Sequence, residues 1–72
     1  MNKTQIINLI EKRFLFNHNM RDKRLDQGNN KEAQIYAILA CECCDLLAEI
    51  NNSSEDHEFE RLYKKFNLFK GE

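Results

Sequence analysis

The sequence predicts an all-α protein, a small helical bundle built from a helical hairpin and a shorter third helix. Three observations carry that expectation. Valine is absent and threonine occurs once, so a sheet would lack most of the β-branched residues that a pleated surface favours. Apolar residues recur at helical spacing in three segments rich in Leu, Ile and Ala. Two polar breaks, Gln27-Gly28-Asn29-Asn30 and Asn51-Asn52-Ser53-Ser54, separate those segments, and no Pro interrupts any of them. A chain of 72 residues is a single helical domain, read here as 1–72. It is too short for a dinucleotide-binding or barrel scaffold, and no apolar run approaches the roughly 18 residues that a membrane span needs.

The first helix is expected over about 3–26. Asn2 and Gln5 have capping-box spacing, in which each side chain satisfies a backbone donor of the first turn. At about 100° per residue, Ile6, Ile7, Leu9, Ile10, Phe14 and Phe16 fall within half of the helix circumference. Beyond Phe16 the stripe meets Asn17, Arg21 and Arg24, with Met20 and Leu25 keeping the apolar phase to about Asp26. Gly28 can adopt the left-handed conformation that ends a helix, and Asn29 with Glu32 repeats the capping spacing.

The second helix, about 30–51, is the most apolar. Ala33, Ile35, Tyr36, Ala37, Leu39, Ala40, the cysteines, Leu46, Leu47, Ala48 and Ile50 occupy roughly two-thirds of its circumference, too much for one neighbour to cover. A polar strip of Gln34, Glu42, Asp45 and Glu49 remains, with Ile38 in its middle. The third helix, about 54–69, has Ser53 or Ser54 as its cap and Glu55, Asp56 and Glu58 near its positive end. Its single stripe is Phe59, Leu62, Tyr63, Phe66 and Phe69. A domain of this length buries only about 60% of the surface exposed by its unfolded chain. Closure by homodimerisation, burying helix two between copies, would supply the missing core.

The formal net charge is −1, which gives no global attraction to nucleic acid or to an anionic membrane. The charge is unevenly placed: residues 1–27 carry a net +3 and residues 28–54 a net −3. Without a secretion signal ahead of the first helix, a cytoplasmic setting with reduced thiols is expected. Asn, Lys and Ile make up 22 of the 72 residues, the bias of AT-rich coding sequence, which points toward a low-GC bacterium or a phage or mobile element within one.

No constellation of reactive residues supports catalysis. Cys41, Cys43 and Cys44 crowd together, but on a helix Cys41 and Cys43 lie about 160° apart, so three thiolates cannot converge on one ion. Their expected role is core packing; a redox or soft-metal sensor is the minor alternative. Glu42, Asp45 and Glu49 share one face, but helix one offers only Glu11 to complete an acidic metal site. They are read as a solvated strip. His18 and His57 are isolated and expected at the surface, and no Gly-rich loop cradles phosphate. No cofactor, metal site or catalytic residue is expected.

The function the sequence favours is therefore recognition. The expectation is a small, non-enzymatic regulatory or inhibitory protein that binds another protein and associates with itself. The candidate interface residues are Tyr36, Leu39, Cys43, Leu46, Leu47 and Ile50 on helix two. The second reading is a dimeric nucleic-acid-binding hairpin in which Lys12, Arg13, Arg21, Lys23 and Arg24 contact phosphates. Three acids interleaved with this segment, and the lack of aromatic residues between Asn17 and Asp26, argue against it.

Overall fold

Each helix begins and ends where side chains can satisfy its unpaired backbone groups. A computed structural model describes residues 1–69 and contains α1 (Lys3–Asp26), α2 (Asn30–Asn51) and α3 (Glu55–Lys65). Asn2 caps α1 reciprocally, its side chain accepting from Gln5 N at 2.8 Å while Gln5 Oε1 accepts from Asn2 N at 3.0 Å. The helix runs unbroken past Asn17 to Asp26. It ends in a turn in which Asn29 N donates to Arg24 O at 2.8 Å, and Gly28 takes φ +75°. That bond consumes the Asn29 amide, so Glu32 accepts from the Asn29 side chain instead of closing a full capping box.

The other two helix ends work the same way. Asn52 ends α2 in the left-handed conformation, φ 53°, and Ser53 N donates back to Ala48 O at 2.9 Å. Ser54 then caps α3 by accepting from His57 N at 3.1 Å. The stripe predicted a third helix reaching residue 69, but α3 stops at Lys65. Asn67 turns left-handed, φ 55°, and Leu68 N donates to Tyr63 O at 2.8 Å, a capped end that periodicity alone does not reveal.

α1 and α2 form the hairpin, and the short α3 lies across one of its faces. The core is Phe14, Ala40, Cys43, Cys44, Leu47 and Leu62, with Ile7, Ile10, Phe59, Tyr63, Phe66 and Leu68 packed around it. Phe14 meets the rings of Phe59 and Tyr63 edge to face, which locks α3 onto α1. Among the described residues no helix is long and apolar enough to cross a membrane.

Candidate functional site

Beneath α3 lies a buried ionic cluster that the sequence reading did not find. Glu11 is only 2% exposed, yet it accepts from Arg61 Nη1 at 2.8 Å and from Lys65 Nζ at 2.6 Å, tying α1 to α3. Arg61 also reaches Glu58, itself 1% exposed, which accepts further bonds from Ser53 and Asn51. Burial pushes the Glu11 carboxyl up, but the bonds from Lys65 and Arg61 outweigh it and hold the group below its ordinary value. Glu58 is lowered against the same burial by Ser53, Arg61 and Asn51. One signal was present in the sequence. Glu11 lies one turn from both Ile7 and Phe14, so a charge was aimed at the core.

His18 is a second correction. It was expected at the surface but is 4% exposed, stacked on Phe14 and edge-on to Tyr63. Tyr63 Oη is 3.4 Å from Nδ1, and Nε2 lies 3.6 Å from Asp22. The cause is α3, whose Tyr63 lands on α1 one turn beyond Phe14. His57 is exposed, as expected.

The cysteines divide. Cys43 and Cys44 are buried, whereas Cys41, expected in the core, is exposed because it lies toward the outer side of α2. Burial raises all three thiols, Cys44 to about 12, so none is poised as a thiolate at neutral pH. Among the described residues no three His, Cys, Asp or Glu side chains are grouped to hold a metal ion.

The basic segment is partly engaged within the chain. Arg21 lies 3.0 Å from Asp22, and Arg24 bridges to Glu32 at 3.1 Å and to Gln27 at 2.9 Å. Lys12, Arg13 and Lys23 are exposed on α1 and form no ion pair among the described residues. The acidic residues Glu42, Asp45 and Glu49 are likewise exposed, and the neighbouring Asp45 carboxylate raises the Glu55 carboxyl.

The hairpin also has a face that α3 leaves open. Of the interface candidates on α2, Leu39 and Leu46 are exposed, Tyr36 and Ile50 are half-buried, and Cys43 and Leu47 lie in the protomer's own core. α1 contributes residues that the sequence reading did not assign to this surface: Ile6, Leu9 and Phe16 are exposed beside them, and α2 adds Ile35. Phe14 and Phe16 are about 160° apart on the helix, so they cannot both face one core. That geometry was the available signal. Scanned against protein-family models, curated proteins and solved structures, the chain matches none of them.

Proposed function

We propose that the chain is a small regulatory or inhibitory protein that works without catalysis, through protein binding at the open α1–α2 face, to a partner chain or to its own copy. One observation carries this reading. Leu9 and Phe16 of α1, and Ile35, Leu39 and Leu46 of α2, leave between 39% and 53% of their surface in water on the hairpin face that α3 does not cover. Apolar residues scattered singly over a surface are ordinary, whereas a set gathered on one face of two packed helices has the pattern of a recognition surface. Supporting it, the cluster of Glu11, His18, Glu58 and Arg61 is committed to holding α3 in place, which gives these groups a structural role. The AT-rich residue usage fits an origin in a phage or mobile element.

A photo-crosslinking residue placed at Leu39, and separately at Glu60 on the outer side of α3, tests the reading. Expected are discrete protein adducts from position 39 in cells and none from position 60. Equal labelling from both positions, or adducts to nucleic acid alone, would reject it.

A further inference from the structure

α3 covers one side of the hairpin and sets the direction of the other. On α1 it faces Glu11, Phe14 and His18; on α2 it faces Cys44 and Asn51. At about 100° per residue, Leu9 and Phe16 lie about 140–180° from Glu11 and His18 around α1, and Leu39 and Leu46 lie about 120–160° from Cys44 and Asn51 around α2. The exposed side chains therefore form two ridges on the face opposite α3. A hairpin of 24- and 22-residue helices is roughly 35 Å long and two helices wide. That gives a face of roughly 700 Å², near the ~800 Å² per partner of a standard stable interface.

The charges beside the ridges have a pattern that selects the occupant. Lys12 and Arg13 bracket the Leu9–Phe16 ridge of α1, while Glu42 and Glu49 border the Leu39–Leu46 ridge of α2. All four are exposed, and none forms an ion pair among the described residues. The hairpin also fixes their heights. Arg24 sits level with Glu32, and Asn17 lies beside the Cys43 thiol, so Lys12 is level with the stretch between Glu42 and Glu49.

Resting on the reading that this face is a protein-binding surface, we infer that its occupant is a second copy of this chain. The two copies are related by a two-fold axis parallel to the hairpin, so that α1 of each protomer packs against α2 of its partner. Rotation about such an axis preserves height. It brings Lys12 of one protomer, on the outer side of its ridge, opposite Glu42 and Glu49 of the other, twice per dimer. A perpendicular axis sets α1 on α1 and α2 on α2, which opposes like charges along both seams. The result is a four-helix seam with an α3 on each outer side.

Sedimentation equilibrium over a micromolar concentration series is expected to give twice the 8.6 kDa chain mass. Reversing the acidic border with Glu42→Lys and Glu49→Lys, or the basic one with Lys12→Glu, is expected to raise the dimer Kd by about tenfold or more, since attraction becomes repulsion at both seams. An equimolar mixture of the two variants is expected to restore a dimer of wild-type strength. All three positions are solvent-facing, and circular dichroism confirms that each variant keeps its helices. Dimerisation indifferent to either reversal would overturn the axis. A monomer at every concentration would overturn the second copy; the protein-binding reading then stands if Leu39 still crosslinks a different protein, and falls with it if no adduct forms.

Discussion

Replacing Glu11 by Gln removes the charge that joins α1 to α3 while keeping the side chain's size. The carboxylate accepts two charge-assisted bonds, from Arg61 at 2.8 Å and Lys65 at 2.6 Å. Breaking a fully buried ion pair costs about 3–5 kcal/mol because it strands the remaining charge. Here the stranded charges are not fully buried: Arg61 is 33% exposed and keeps Glu58, and Lys65 is 48% exposed and rehydrates. The expected cost at pH 7 is therefore about 2 kcal/mol, which for a chain of this size lowers the melting temperature by roughly 8–16 °C. Its pH dependence has a definite sign. The folded-state pKa of Glu11 lies below its unfolded value of about 4.3–4.5, so the stabilisation is fully present above that value and is lost as pH falls through the folded pKa. Urea unfolding followed by circular dichroism, at one fixed protein concentration, should show a large wild-type advantage at pH 7 that shrinks toward pH 3. The variant should keep some acid sensitivity of its own, since Glu58 is also lowered and still titrates. An equal difference at pH 7 and pH 3, or none at pH 7, would refute the argument.

Leu62→Ala should cost about 3 kcal/mol, because Leu62 is fully buried where α3 meets the core, whereas Ile38→Ala, on the outer side of α2, should stay within about 0.5 kcal/mol in the same urea assay. Ellman's reagent at neutral pH should label Cys41 first, with Cys43 and Cys44 reacting only as fast as the chain opens; prompt labelling of all three would contradict their burial. Asn52→Gly should stabilise by roughly 0.5 kcal/mol, since Gly takes the left-handed φ of 53° without a Cβ penalty, and a lower melting temperature would show that the Asn side chain matters there. Electrophoretic mobility of RNA or duplex DNA at physiological salt should be unchanged by the protein, with or without Arg21 and Arg24, because these two cations are already engaged with Asp22 and Glu32; a sub-micromolar shift that falls steeply with salt would restore the basic segment as the working face.

The elements that could be read from the sequence are those specified by local chemistry. Asn2–Gln5, Gly28, Asn29 and Ser54 each act through neighbours within four or five residues, and the structure uses all of them as helix ends, Asn29 without closing the full box. The early end of α3 was not legible, because Phe66 and Phe69 continue the stripe while a left-handed Asn67 closes the helix. Burial of His18 was not legible, nor were the partners of Glu11 despite its place between Ile7 and Phe14, since both depend on where α3 lands some 45–54 residues further along the chain. The candidate surface shows the same division. The excess apolar character of α2 was visible, but a helical wheel cannot say which arc a neighbour takes. α1 and α3 take the arc containing Ala40, Cys44 and Leu47, leaving Leu39 and Leu46 outside.

α2 has three sides, and the structure accounts for two of them. α1 packs on one and α3 on the next, held by a ring cluster and by a carboxylate network whose cations all come from α3. Because α3 is only 11 residues long, it adds limited apolar burial, and the ionic bonds through Glu11 supply the directional part of its attachment. The third side of α2 carries Leu39 and Leu46 and has no helix against it among the described residues. A partner that binds only the folded hairpin adds its binding free energy to folding, so occupancy of this face and stability of the protomer rise together. Lys12, Glu42 and Glu49 add little to the isolated protomer, where water screens them. Their placement beside the open ridges becomes consequential only when another surface with the opposite order of charges lies against them, and a second hairpin, turned about an axis along its length, presents that order.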